Sequence, residues 1–146
     1  MAYTVPAHQW TFVAVTLSNG GVGSGTATFY VNGQKIGTSS NQEEYMLGTD
    51  YFGIGGNTGA YFGATQPAIS FNGSIANLQI YNTSLSPAAI EYLYREGIGG
   101  DPTSLNHLLG WWPLNGNAND YSGNDNSAAN ANIIYTNGWT YDYTAP

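Results

Sequence analysis

Residues 69–97 read ISFNGSIANLQIYNTSLSPAAIEYLYREG. Ile69 and Phe71 alternate with Ser70, Asn72 and Ser74. After Ile75 the phase slips, so that Ala76, Leu78 and Ile80 become the apolar positions. A one-residue slip in a period-two pattern predicts a bulge, a corner or two separate strands. A helix follows at residues 87–96. Ser86 suits the N-cap and Pro87 the first helical position. Ile90, Leu93 and Tyr94 share one face. Arg95 falls in the last turn, and Gly97 is the expected stop.

Working outward, residues 26–31 alternate cleanly, with Ala27, Phe29 and Val31 on one side and Thr26, Thr28 and Tyr30 on the other. Asn32-Gly33 follows, with residues 34–37 beyond. An Asn-Gly pair there predicts a type I′ hairpin turn, which needs positive φ at both positions. Residues 10–17, WTFVAVTL, are apolar on both sides and predict a strand with both faces covered. Residues 3–5 and 51–55 read as short strands, and 56–67 as a long loop with Tyr61 and Phe62 near its tip. Residues 97–107 have linker composition. LLGWWPL at 108–114 restarts the β pattern, with Pro113 at an edge or strand end. Residues 131–135 and 139–143 add two strand candidates. Nine or ten short strands and one helix predict an all-β, two-sheet antiparallel sandwich.

The chain has 146 residues, the size of one domain. Apolar residues make up 42%, enough for a packed core. Charged residues make up only 8%, against the usual quarter or so. Lys35 and Arg95 are the only fixed cations, and the net charge is −7. Counterion release at a phosphate backbone needs Lys and Arg, so nucleic acid and anionic lipid are poor partners. No apolar run reaches the ~20 residues of a membrane helix, which argues against membrane insertion. The absence of cysteine removes disulfides, thiol catalysis and cysteine-bound zinc.

DYSGNDN at 120–126 is rich in hard oxygen donors. Asp120 with carbonyls near Gly123 and Asn124 could start a calcium site. The competing reading is a turn whose Asx side chains bond their own backbone. Tyr61, Phe62 and Trp139, with Tyr141 and Tyr143, are candidate sugar-stacking platforms or alternatively core residues. Trp10, Trp111 and Trp112 are expected in the core. His8 and His107 read as surface or edge histidines, and Glu43-Glu44 as a solvated loop. Glycosidases hold two carboxylates across the scissile bond. No such cluster occurs along this chain, and the expectation is binding without catalysis.

QWTFVAVTL, FYVNGQKIG, YFGIGG and FNGSIANLQIYNTSLSPAAIEYLY, taken in order over residues 9–97, resemble the later half of a LamG-like domain of the concanavalin A-like lectin/glucanase group. LLGWWPLNGNANDYSGND at 108–125 resembles the opening of the same kind of domain. The resemblance implies a jelly-roll sandwich and an extracellular or cell-surface module that binds carbohydrate or a surface protein. It also implies a structural calcium, with Asn77 standing where relatives often carry Asp. The order is either that of one circularly permuted domain over residues 1–146, bridged near 97–107, or that of a slice of a tandem array. The permuted order, with a Tyr-rich and charge-poor surface, raises a second function: a structural or self-assembling subunit.

Overall fold

A computed structural model describes residues 3–18, 24–42, 54–57, 69–128 and 134–135. They form seven strands, one α-helix and a short 3-10 turn at Leu105–His107. The chain divides into two compact units: Met1–Glu44 with Ala76–Pro146, and Tyr45–Ile75.

The first unit holds a three-stranded antiparallel sheet in the order β1-β2-β3, namely Val13–Ser18, Gly25–Val31 and Gln34–Gln42. It also holds β6 (Leu78–Tyr81), α1 (Pro87–Glu96) and β7 (Leu108–Trp112). The second unit carries one antiparallel pair, β4 (Gly56–Asn57) with β5 (Ile69–Ser70). There the Phe71 N–H donates to the Gly55 carbonyl at 2.7 Å.

The predicted hairpin turns at Asn32-Gly33, with φ of 48° and 76°. Phe12 clamps it from both directions. The Phe12 N–H donates to Asn32 Oδ1 at 3.1 Å, and the Asn32 N–H donates to the Phe12 carbonyl at 2.9 Å. Gly33 also lies against the Tyr94 ring, where a Cβ would stand 3.0 Å from a ring carbon. The clean alternation expected of residues 26–31 breaks before its end. Phe29 pairs with Gly37 and Tyr30 with Lys35, which leaves Ile36 as an extra residue on β3. At this bulge Tyr30 and Val31 are both buried while Phe29 is exposed.

Helix α1 spans the predicted residues. Ser86 Oγ accepts from the Ala89 N–H at 3.2 Å, and the Gly97 N–H donates to the Tyr94 carbonyl at 3.2 Å with φ of 78°. Ile90 and Leu93 pack with Tyr30 and Leu85, and Phe12, Ala14, Tyr81 and Ala89 close around them. The core thus sits where the helix meets β2, β1 and the end of β6.

The phase slip resolves into two separate strands, β5 and β6, with irregular backbone between them. β7 pairs antiparallel with β6, Leu78 opposite Trp112 and Gln79 opposite Trp111. It stops before Pro113. Trp112 is buried over Gly110, which has no side chain to obstruct the ring.

Several expectations change. Residues 10–17 are not covered on both faces: the strand starts at Val13, and Val13 and Val15 are 61% and 62% exposed. β-Branched residues favour strands whether or not the face is covered. Residues 3–5 are not a strand; Pro6 lacks the N–H needed to continue a ladder. Of the strand expected at 51–55, residues 51–53 lie outside the described residues and 54–55 form a bend, with a short strand following at 56–57. Of the strands expected at 131–135 and 139–143, only Ile134 and Tyr135 are described, and they have no strand assignment; the rest lie outside the described residues. Residues 97–107 are closely tied down: Gly100 and Pro102 are buried, and the Asn82 N–H donates to the His107 carbonyl at 2.9 Å.

Candidate functional site

Strand β6 places Gln79 and Tyr81 on one face by its period of two, and Asn77, just before the strand, joins them through its side chain. The Tyr81 hydroxyl donates to Gln79 Oε1 at 2.7 Å, and Gln79 Nε2 donates to Asn77 Oδ1 at 3.1 Å. Trp111, opposite Gln79 on β7, adds its indole N–H to the same Asn77 oxygen at 2.7 Å. Asn77 Nδ2 then donates to the Gly100 carbonyl at 3.0 Å. Burial pushes the Tyr81 hydroxyl above its ordinary pKa, against a smaller opposing effect of the Thr103 backbone bond. The result is an uncharged amide–aromatic ladder at neutral pH.

Loop 117–127 binds the other edge of β7. Asp120 Oδ1 accepts from the Trp111 N–H at 2.9 Å and the Ser122 N–H at 2.8 Å. Its Oδ2 accepts from the Ser122 hydroxyl and the Asn126 N–H, both at 2.9 Å. Partial burial raises the Asp120 pKa, but these hydrogen bonds outweigh it and hold the carboxyl below its ordinary value. Asn124 Nδ2 donates to the Leu108 and Leu109 carbonyls at 2.9 and 3.2 Å, and Asn126 Nδ2 to Leu109 at 2.9 Å. The Tyr121 N–H donates to the Trp111 carbonyl at 2.8 Å. Side chains of the loop thereby cover a strand edge that would otherwise present bare backbone.

The four residues expected around calcium therefore fall into two groups. Asp120, Gly123 and Asn124 share one loop, whereas Asn77 joins it only through Trp111. The arrangement does not fit a cation. A carboxylate has about four lone-pair sites, and Asp120 already accepts four hydrogen bonds. The Asn77 oxygen takes two N–H donors, and Asn124 aims its amide nitrogen at carbonyls. Among the described residues no three His, Cys, Asp or Glu side chains group as metal ligands.

Trp111 and Tyr121 meet edge-to-face, with ring centroids 6.1 Å apart and an interplanar angle of 65°. Asn117 Nδ2 donates to the Tyr121 hydroxyl at 3.2 Å. Trp111 is half-buried, unlike Trp112, and so is not the core residue expected. The period-two spacing of Asn77, Gln79 and Tyr81 was the available signal for this face. Nothing local in the sequence pairs it with Trp111. Tyr61, Phe62 and Trp139, the expected ligand contacts, lie outside the described residues, as do Glu43 and Glu44. His107 Nδ1 lies 3.0 Å from Asn82 Oδ1 at the surface, and His8 is exposed.

No curated protein and no solved structure matches the chain. Residues 1–91, more than half of its length, match the Laminin G-like family described as the concanavalin A-like lectin/glucanases superfamily. An antiparallel β architecture with one helix agrees with that match, and the chain belongs to this family.

Proposed function

We propose that the protein is an extracellular, non-catalytic module that binds carbohydrate or another polar cell-surface ligand. Laminin G-like domains are, as a family, binding modules, typically extracellular and without catalysis. The observation that carries the finer reading is the half-exposed Trp111–Tyr121 pair, flanked by the Gln79 and Asn117 amides. Rigid aromatic faces supply contact area at small entropy cost, and amides supply adaptable hydrogen bonds. Asp120 is saturated with donors and Glu91 is paired with Arg95, which supports binding without hydrolysis. No described helix is long and apolar enough to cross a membrane. Tyr61, Phe62 and Trp139 remain proposed contacts from sequence. A glycan array followed by titration of wild type, Tyr121→Ala and Tyr61→Ala tests the reading. Binding untouched by both substitutions would reject these surfaces, and release of reducing ends would reject the non-catalytic assignment.

The pairing of β7 with β6 inside one chain favours a permuted single domain over a slice of an array. Residues 97–107 then bridge the family's usual ends.

A second reading, a self-assembling subunit, has one observation in its favour. β1 is an edge strand among the described residues and bears the exposed Val13 and Val15. Edge strands of this kind pair readily with another copy. Sedimentation over a concentration series separates the two readings.

A further inference from the structure

A groove of about 300 Å³ opens between the Asn32-Gly33 turn and the second half of α1, lined by Asn32, Gly33, Gln34, Glu91, Tyr94 and Arg95. We propose that it is a second ligand subsite, and that it takes one unit of a neutral saccharide. This rests on the carbohydrate reading above but uses a different surface and different residues.

Charge decides the ligand class first. The protein carries nine carboxylates against two fixed cations, and one of those cations, Arg95, lines this groove. Glu91 already balances the Arg95 charge, with Nε and Nη2 both donating to its Oε1, at 3.1 and 2.6 Å. An anionic ligand would meet that carboxylate at the C-terminal, partially negative end of α1. A neutral ligand meets no such cost.

Chemistry then favours hydroxyls. The two Arg95 bonds converge on Oε1, which leaves Nη1 and Oε2 outside the pair. A donor and an acceptor held side by side suit neighbouring hydroxyls, each of which both donates and accepts. Asn32 and Gln34 add amides, and the Tyr94 ring adds an apolar wall. The Asn32 and Tyr94 walls are held in place. Asn32 is fixed by the Phe12 N–H, and Tyr94 sits between Gly33 and Phe12, with its ring centroid 5.9 Å from that of Phe12. A volume at the low end of small-ligand pockets suits one sugar unit rather than a folded partner.

Arg95 is the only arginine, so its Nε–H is a unique reporter in a ¹H–¹⁵N spectrum. Titrate the full chain with maltose and with N,N′-diacetylchitobiose, using glucuronate as the charged comparison. The expected result is saturable movement of the Arg95 Nε–H and the Gly33 amide with a neutral disaccharide. In Arg95→Met the Gly33 shift should need about tenfold more sugar, the factor expected when a hydrogen bond to a charged group is lost. Arg95 is exposed, so the variant should keep the wild-type spectrum elsewhere. Movement of the Trp111 indole with Arg95 and Gly33 still would overturn the groove and leave the binding reading intact. A response to glucuronate alone would overturn the neutral class. Silence at every resonance would reject the carbohydrate reading itself, and this subsite with it.

Discussion

The Trp111 indole N–H reaches the Asn77 side-chain oxygen at 2.7 Å across 34 positions of sequence. That bond ties β7 to the residue just before β6, and it does so from a left-handed backbone, φ 52° at Asn77. Asn adopts this conformation more readily than most residues. One residue therefore serves the turn and the network together.

Asn77→Gly isolates the amide, because glycine accepts the left-handed backbone without strain. The Trp111 and Gln79 donors and the Gly100 carbonyl would lose their partner. Urea unfolding should show a loss of about 1–3 kcal/mol, the cost of leaving partly buried polar groups unsatisfied. A loss below a few tenths would mean that water replaces the amide freely.

Asp120 gives a pH signature. Its folded pKa lies below the ordinary 3.8, so folding favours the ionised form. Its stabilisation is therefore complete above the unfolded pKa and fades as pH falls through the lower, folded value. The stability gap between wild type and Asp120→Asn should stay constant at neutral and mildly acidic pH and shrink below 3.8. Denaturant titrations at several pH values check this. A gap that closes already near neutrality would assign the effect to another group.

Calcium should not stabilise the fold through this loop. A ligand that binds only the folded state raises the melting temperature by mass action. With the Asp120 oxygens saturated by protein donors, melting in EDTA and in millimolar calcium should coincide. A calcium-dependent rise abolished by Asp120→Asn would show that the loop opens to admit the ion.

Gly33→Ala should destabilise the protein by at least 1–2 kcal/mol, roughly the cost of placing a Cβ in a left-handed turn position. The substitution also meets the Tyr94 ring, so the loss should exceed that of an isolated hairpin turn. Thermal melts compare it directly with Ser86→Ala, where loss of the cap should cost about 1 kcal/mol.

The helix and the hairpin turn were legible because each rests on local chemistry, whereas the pairing of β6 with β7 joins segments about thirty residues apart and shows only in the fold. Ser86, Pro87 and Gly97 mark the helix ends whatever packs around them. Asn32-Gly33 needs no tertiary partner to turn. The Ile36 bulge was not legible, since an extra residue in one strand shows only against its partner's register. The role of DYSGNDN is half legible: its Asx residues signal side-chain bonds to backbone, but nothing local shows that a neighbouring strand edge receives them. Trp111 and Trp112 look alike in sequence and differ in burial because successive strand residues point to opposite faces. The exposed face of β1 is not legible, because an apolar strand looks the same in sequence with or without a cover.

The reach of these contacts along the chain also orders the steps of biosynthesis. The strand pairs of the β1–β2–β3 sheet all lie between Val13 and Gln42, so its backbone ladder can close before α1, whose Ile90 and Leu93 pack on Tyr30, has been made. β6 must wait for β7, and β7 has its indole and backbone partners completed only when Asp120 and Asn126 have emerged. Until then Leu78, Trp111 and Trp112 belong to a nascent chain with apolar surface to hide, the state in which aggregation competes with folding. A chain stopped before Asp120 therefore leaves β7 without these partners and its apolar residues seeking other cover.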